Sequence, residues 1–297
     1  MKFSLRKLSD CSVFPDRRWD IALIGEVVDG RGGIAVQAVR QRASESIEVS
    51  YDCREMTMGI NGHVGVIDTF EDLLKEKAGL SIVCEATTLG FAELLLCCRY
   101  ARSAGAMSLS FVYVEPCSYK SPRRSQVVHR RDFELTNDVE GYLAIPGAGY
   151  MLSESEEQMA VMFVGYESQR LDQAFEGLPL QSAACSVTFG VPAYKFGWET
   201  DSFANNVRIM CDREIVGGTE FCAAHNPQAA YELLDRKHKN IGNKRMFVAP
   251  IGSKPHGLGV ALFVAEHNDV GILYDHPKRM QGRTDGAGAC HIFDVEF

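Results

Sequence analysis

An apolar strand that runs directly into a glycine-rich turn and a helix start is the stretch that most constrains this chain. Residues 245–250 are short and apolar, as expected of a buried strand, and residues 255–265 have the length of a helix. Between them lies the turn Gly252-Ser253-Lys254-Pro255-His256, and Pro255 suits a first helical turn because its missing N–H has no partner there. A strand, a tight turn and a helix start place backbone N–H groups at the carboxyl edge of a sheet, where α/β proteins bind anionic or polar ligands.

The length and composition favour two globular domains. The chain has 297 residues and is 46% hydrophobic, which is enough for two ordinary cores. We place an N-terminal domain at 1–150, with a basic and acidic arm near 117–150, and a C-terminal domain at 151–297 that carries the glycine-rich turn. The net charge of −8 argues against broad electrostatic binding of nucleic acid, which needs a basic face.

The cysteines and the apolar segments bear on metal binding and on location. The ten cysteines include no Cys-x-x-Cys pair, the close spacing that zinc ribbons and redox pairs need, so the sequence has no recognisable metal motif. The N-terminus lacks the apolar segment of a secretory signal, and no apolar run is long enough to span a membrane. We expect a reduced, cytoplasmic protein that does not associate with membranes.

Both domains read as strands alternating with helices, the pattern of a parallel sheet flanked by helices. In the N-terminal domain the strands are predicted at 20–28, 47–51, 80–86 and 109–115, with helices over 34–42, 68–77 and 94–102. In the C-terminal domain the strands are predicted at 158–165, 184–189, 245–250 and 270–274, with helices over 171–178, 202–210, 227–235 and 255–265. The glycines at 30, 32 and 33 predict a turn, and the glycine-rich residues 281–290 predict a loop before a final strand over 291–297.

Two stretches of the chain follow the same order of elements. Residues 82–116 and 247–277 both consist of an apolar strand, a polar or glycine turn, an apolar helix and a strand that ends with Tyr, an acid and Pro. The sequence therefore predicts two Rossmann-like halves that form a pseudo-repeat.

These two stretches also resemble a known family. The Thr87-Thr-Leu-Gly90 turn with its following Tyr-Val-Glu strand, and the Gly-Ser-Lys-Pro-His turn, are similar to the Rossmann-like sensor domains of CRISPR-associated and other antiviral defence systems. In that family such a turn precedes a helix and contacts a nucleotide second messenger. The resemblance implies a nucleotide-like ligand and a homodimer or a protein partner in a defence complex.

The candidate ligand-binding residues lie at predicted turns and strand ends. Lys254 and His256 are at a predicted helix start, where the helix dipole, backbone donors and an ammonium group converge on one anion. The alternative is an ordinary tight turn with an exposed lysine. The other candidates are Tyr166, Arg170, Gly252, Ser253, Tyr274 and Arg279, with Thr87 and Thr88 as counterparts in the N-terminal domain. Trp198, on the loop after 184–189, either stacks on a base or anchors packing.

Two residues are candidates for acid–base catalysis. Glu167 follows the first strand of the C-terminal domain, and His276 follows the strand at 270–274. A carboxylate at such a position binds a ribose or transfers a proton, as an imidazole also does. The alternative for Glu167 is a structural ion pair with Arg170.

Three functions are open at this point. The first is a nucleotide-like ligand sensor or accessory subunit of a prokaryotic antiviral defence system. The second is a hydrolase or transferase for a nucleotide or sugar phosphate on the same scaffold. The third is a purely structural interaction subunit. We favour binding over catalysis, because the chain contains no Gly-x-Ser-x-Gly, His-Glu-x-x-His, complete Walker or kinase motif.

Overall fold

The computed structural model describes residues 1–77, 79–119, 123–124, 131–149, 157–215 and 218–297, and it confirms the α/β class. Its strands are β1 (Lys2–Leu8), β2 (Trp19–Ile24), β3 (Ala43–Asp52), β4 (Thr57–Ile60), β5 (His63–Val66), β6 (Ile82–Glu85), β7 (Ser108–Tyr119), β8 (Arg123–Arg124), β9 (Arg131–Asp132), β10 (Thr136–Val139), β11 (Gln158–Val164), β12 (Cys185–Gly190), β13 (Thr219–Cys222), β14 (Arg245–Pro250), β15 (Gly271–Ile272), β16 (Pro277–Arg279) and β17 (Thr284–Glu296). Its α-helices are α1 (Gly30–Arg40), α2 (Ile67–Glu76), α3 (Phe91–Ser103), α4 (Ser168–Gly177), α5 (Trp198–Asp212), α6 (Pro227–Lys239) and α7 (Lys254–Glu266). Within the described ranges, no helix combines the length and the apolarity needed to cross a membrane.

The chain forms two compact units whose bounds differ from those of the predicted domains. Unit 1 comprises Met1–Lys120 and Arg279–Phe297, and unit 2 comprises Ser121–Lys278. The sequence placed one boundary at 150, whereas the structure has the chain leave unit 1 near 120 and return to it near 279. The return follows from the pairing of β17 with β7 and β1. Residues 120–122, 125–130 and 150 of the predicted arm lie outside the described residues.

Unit 1 is built on an eight-stranded mixed sheet in the order β1-β17-β7-β6-β2-β3-β4-β5. The four strands β3, β2, β6 and β7 are mutually parallel, and the others join in antiparallel pairs. Helix α1 connects β2 to β3, and α3 connects β6 to β7. The predicted crossover from residue 82 to residue 116 is therefore confirmed. Trp19, which packs edge-on against Phe14 at 5.9 Å, belongs to the apolar core of this unit.

The predicted glycine turn and the predicted glycine-rich loop of unit 1 were both wrong. The glycines at 30, 32 and 33 form the first turns of α1, because the Asp29 carboxylate accepts a hydrogen bond from the Gly32 N–H at 2.8 Å and starts the helix there. Strand β17 begins at Thr284, seven residues before the predicted strand at 291, because the glycines of this segment allow close packing on β7.

Unit 2 is built on a five-stranded parallel sheet in the order β13-β12-β11-β14-β15. Helices α4, α5, α6 and α7 make its four connections in turn. Helix α7 is buried from Pro255 through Ala265, as a helix that is apolar on all sides must be. At Gly259 its backbone approaches α6 so closely that an added Cβ would overlap the carbonyl oxygen of Pro227.

The two crossovers of the predicted pseudo-repeat enter their sheets in comparable positions. Strand β6 lies beside β2 on the side away from β3, and β14 lies beside β11 on the side away from β12. The sheets differ in that unit 1 has antiparallel strands at both edges. The pseudo-repeat itself stays a prediction.

Candidate ligand-binding site

The predicted turn at 252–256 lies at the point in the five-stranded sheet of unit 2 where the direction in which successive strands are added reverses. The five strands of this sheet, numbered by their order along the chain, lie side by side as third, second, first, fourth and fifth. The reversal therefore falls between β11 and β14. All five are parallel, and α4, α5 and α7 begin at the shared carboxyl edge. In open parallel sheets this edge is the usual ligand site, because the two loops beside the reversal run in opposite directions.

Ser253 shapes the turn by capping α7. Its hydroxyl oxygen accepts a hydrogen bond from the His256 N–H at 3.2 Å, and its hydroxyl donates to the Ala224 carbonyl oxygen at 2.5 Å. Gly252 packs against β11, since a Cβ there would lie 3.0 Å from His256 Nδ1 and 3.3 Å from Phe163 Cβ. The turn therefore has little room for any residue other than glycine at 252.

Lys254 is the first residue of α7 and lies partly exposed at the carboxyl edge. The first turn of this helix contains no acidic side chain. A cation at a helix N-terminus opposes the helix dipole, which costs about 0.3–1 kcal/mol when it is not offset. A bound anion at this edge would interact favourably with both the dipole and the ammonium group.

His256 lies inside unit 2 rather than at its surface. The ring is fully buried, and its Nε2 lies 3.2 Å from the carbonyl oxygens of both Cys222 and Ala223. Because both partners are acceptors, Nε2 carries the proton. Burial lowers the pKa of His256 to about 4, so the ring is neutral near pH 7. The residue orders the turn and β13 instead of reaching a ligand in solvent.

Glu167 follows β11, and its carboxylate accepts hydrogen bonds from backbone N–H groups. Its Oε1 accepts from the N–H groups of Leu135 at 2.8 Å and Thr136 at 2.9 Å, and its Oε2 accepts from the Thr136 hydroxyl at 2.9 Å. The carboxylate thus fixes the segment before β10 to the carboxyl edge of the sheet. Glu167 keeps an electrostatic interaction with Arg170, which the sequence allowed, but its hydrogen bonds go to this segment.

Arg170 pairs with Asp275 instead. The distances are 2.7 Å from Nε to Oδ2 and 2.6 Å from Nη2 to Oδ1. Asp275 is almost fully buried, and sequence reasoning did not single it out. The signals in the sequence were its position after the strand at 270–274, between two selected residues, and its place as the acid in the strand ending that the two crossovers share.

Tyr274 and His276 flank Asp275. Their rings meet edge-on at 4.8 Å, and His276 Nε2 lies 3.0 Å from the Leu143 carbonyl oxygen. His276 also has a φ of 45°, a left-handed conformation that residues other than glycine seldom adopt. The structure therefore places His276 in a backbone contact, with Tyr274 half-buried beside it.

Aromatic side chains gather at the same edge. The Tyr166 ring lies 4.8 Å from Phe133 and 6.1 Å from Trp198, the first residue of α5. The Lys195 ammonium group lies 5.6 Å from the centre of the Trp198 ring. A partly exposed aromatic surface of this kind can stack on a planar base.

Three polar side chains of α5 hold the loop after β11. The hydroxyl of Ser202 donates to the Gly165 carbonyl oxygen at 2.8 Å, and the Asn206 amide donates to the same oxygen at 2.9 Å. The Asn205 amide donates to the Tyr166 carbonyl oxygen at 2.8 Å. These bonds tie the first half of α5 to the residues that follow β11.

In unit 1, Thr87 and Thr88 are bonded within their own turn. The Glu85 carboxylate accepts at 2.8 Å from each of their N–H groups and also binds the Thr88 hydroxyl. The Thr87 hydroxyl accepts from Val114 N–H at 3.1 Å, and the Thr88 hydroxyl accepts from Gly25 N–H at 3.0 Å. The fully buried carboxyl group of Glu85 occupies the position in which a bound anion would accept these hydrogen bonds. Sequence reasoning did not identify Glu85 as part of this turn.

The structure brings together only some of the predicted residues. A single edge of unit 2 holds Tyr166, Glu167, Arg170, Gly252, Ser253, Lys254, His256, Tyr274 and His276. Thr87, Thr88 and Arg279 belong to unit 1. Of the residues at the edge, Lys254, Tyr166 and Tyr274 combine partial exposure with a side chain that can contact a ligand.

The chain matches no known family in a scan of family models, and a search of curated proteins finds no significant match. Inference about function therefore depends on the geometry of the two units and on the resemblance noted in the sequence.

Proposed function

We propose that unit 2 binds an anionic, nucleotide-like ligand at its carboxyl edge, and that the chain serves as a sensor or accessory subunit of a prokaryotic antiviral defence system. The observation that carries the binding proposal is Lys254 as the first residue of α7, directly at the reversal between β11 and β14. Its ammonium group, the helix dipole and the neighbouring turn favour a phosphate or another anion.

The aromatic residues at the same edge favour a ligand with a planar base. Tyr166 and Trp198 are both partly exposed and lie in edge-to-face contact. A base stacked on one of these rings and a phosphate near Lys254 together describe a nucleotide. Base stacking of this kind contributes about 1–3 kcal/mol per base.

Binding has more support than catalysis at this edge. Both acid–base candidates have structural hydrogen bonds. Glu167 accepts from the N–H groups of Leu135 and Thr136, and His276 bonds to the Leu143 carbonyl oxygen. The role in defence, and the homodimer or protein partner that belongs with it, rest on the sequence resemblance.

The test is ligand capture followed by titration. We expect native mass spectrometry of the full chain, purified gently from its host, to show a bound nucleotide-like molecule. A panel of mononucleotides, dinucleotides and cyclic oligonucleotides is then titrated by calorimetry against the wild type and Lys254→Met. We expect the variant to bind at least about tenfold more weakly, because it loses a charge-assisted contact.

Lys75→Met is the matched control, since Lys75 is a half-exposed lysine of α2 in unit 1. It should bind as the wild type does. Equal affinities of the wild type and Lys254→Met would place the ligand elsewhere. A protein that carries no small molecule and binds no member of the panel would contradict the proposal.

A further inference from the structure

Two histidines and an aspartate meet at the opposite end of unit 2. His238 lies in the last turn of α6, His267 directly follows α7, and Asp269 comes two residues later in the turn before β15. One nitrogen from each ring and one oxygen of the carboxylate all lie within 4.8 Å of one another. These residues form what we name the HHD cluster.

The ligand atoms of the HHD cluster are those of a transition-metal site. His238 Nε2 lies 2.8 Å from Asp269 Oδ2, and the centres of the two imidazole rings are 4.5 Å apart. Imidazole nitrogens and carboxylate oxygens bind Zn²⁺ at roughly 2.0–2.2 Å. The Asp269 side chain is mostly exposed, so it can adjust to bring three atoms around one ion.

Both rings of the cluster are held against one buried phenyl group. The centre of the Phe263 ring lies 4.3 Å from that of His267 and 5.7 Å from that of His238. The His267 N–H also donates to the Phe263 carbonyl oxygen at 3.0 Å. Helices α6 and α7 thus fix the positions of two ligands before any ion binds, which lowers the cost of ordering them.

The surroundings of the cluster suit a cation with open coordination positions. Asp235 and Glu266 add negative charge close to His267. A cavity of about 530 Å³ is lined by His238 and Asp269, with Glu157 and the two cations Lys244 and Arg245 elsewhere on its wall. Three protein ligands leave at least one position of a four-coordinate ion for water or another small ligand, and the cavity has room for it.

We propose that His238, His267 and Asp269 bind a divalent transition-metal ion, with Zn²⁺ as the ion that best matches the ligand set. This site is separate from the ligand site proposed at the carboxyl edge. The sequence predicted no metal site, because its ligands come from two helix ends and only His267 and Asp269 are close in sequence. Irving–Williams ordering also predicts tight binding of Cu²⁺, with weaker binding of Co²⁺.

The experiment uses the full chain after dialysis against a chelator. We titrate Zn²⁺ in competition with a chromophoric chelator, and we record the visible absorption of the Co²⁺ form. We expect one Zn²⁺ per chain and a Co²⁺ spectrum of low coordination number. Each of His238→Gln, His267→Gln and Asp269→Asn should weaken Zn²⁺ binding by more than tenfold, because losing even an outer-shell partner commonly costs about 10–100-fold.

Two variants control for incidental binding at other imidazoles or thiols. His63→Gln removes an exposed histidine of unit 1, and Cys211→Ser removes an exposed thiol of α5. Both should bind Zn²⁺ as the wild type does. Asp269→Asn is nearly isosteric and exposed, so it tests the site even if a histidine variant does not fold. Absence of Zn²⁺ binding, or Zn²⁺ affinity that is unchanged in Asp269→Asn, would overturn the proposal and leave the HHD cluster as a hydrogen-bonded group.

Discussion

The guanidinium group of Arg170 and the carboxylate of Asp275 form a two-point ion pair inside unit 2, with nitrogen–oxygen distances of 2.6 Å and 2.7 Å. Only 1% of the Asp275 side chain and 12% of the Arg170 side chain are exposed. The pair joins the start of α4 to the chain that follows β15. The pair therefore fixes the first turn of α4 to the segment that follows the last strand of the sheet.

Asp275→Asn should destabilise the protein strongly. Removal of one partner leaves the Arg170 charge buried without a counter-charge, which typically costs about 3–5 kcal/mol. Urea unfolding followed by circular dichroism measures the change in the free energy of unfolding. The control is Asp172→Asn, which breaks a pair with Arg213 whose side chains are both 34% exposed. That change should cost far less, because exposed ion pairs contribute little to stability, and similar losses in both variants would contradict the assignment.

His256 should make stability depend on pH. Its pKa lies near 4 in the folded chain against an ordinary value of 6.5, so the unfolded chain takes up a proton first as the pH falls. The stabilisation is complete above about pH 6.5 and is lost progressively as the pH falls toward about 4. Between about pH 7 and about pH 5 this group alone should lower the free energy of unfolding by about 2 kcal/mol.

Comparison with His256→Gln isolates this contribution from the carboxyl groups that titrate in the same range. The variant keeps a donor for the carbonyl oxygens of Cys222 and Ala223 but does not titrate. Urea unfolding at both pH values should show a smaller loss of stability on acidification in the variant than in the wild type. Equal losses in the two proteins would mean that the ring is protonated in the folded chain.

The sequence was most informative where local pattern alone determines an element. The strand predicted at 245–250 is β14, with the same bounds, because a largely apolar run of this length between turn residues favours a buried strand over a helix. By contrast, β17 was predicted to begin seven residues too late, at 291 instead of Thr284. Its glycines suggest a loop when read locally, but Gly288 packs against the Glu115 backbone of β7, where the pairing register shifts between Ala287 and Cys290, and Gly286 has a φ of 67°. That role depends on a strand far away in the sequence.

The same limit applies to the candidate site. Position at a strand end was enough to place Tyr166, Arg170 and Lys254 at one edge of a sheet. The partner of each polar group was not predictable, since Asp275 follows Arg170 by 105 positions and Thr136 precedes Glu167 by 31. Pairing across such separations is decided by the packing of the whole unit. In this case the pairing gives Glu167, a candidate base, a structural role instead.

Gly259→Ala should destabilise unit 2 although alanine is the better helix former. An added Cβ would overlap the Pro227 carbonyl oxygen and lie 2.7 Å from the Ala230 Cβ, so α6 and α7 would have to separate. Overpacking of this kind costs about 1–3 kcal/mol. Gly33→Ala in α1 is the control, because an added Cβ there would lie 3.9 Å from a Val27 methyl group, at an ordinary contact distance. We expect the control to be neutral or to raise the free energy of unfolding by up to about 1 kcal/mol, and a neutral Gly259→Ala would show that the helices have room.

Glu167→Ala should loosen the segment around Leu135 and Thr136 and leave the sheet intact. The change removes the acceptor of two backbone N–H groups and one hydroxyl, and a buried group left without its partner costs about 1–3 kcal/mol. Hydrogen exchange read by mass spectrometry should show faster exchange in peptides that cover 133–139, with unchanged protection of β11 and β14. Glu220→Ala, which removes a half-exposed acid paired with Lys237, should leave that exchange as it is in the wild type. If exchange over 133–139 stayed the same in Glu167→Ala, the carboxylate would not be what holds this segment, and its candidacy as a catalytic base would regain support.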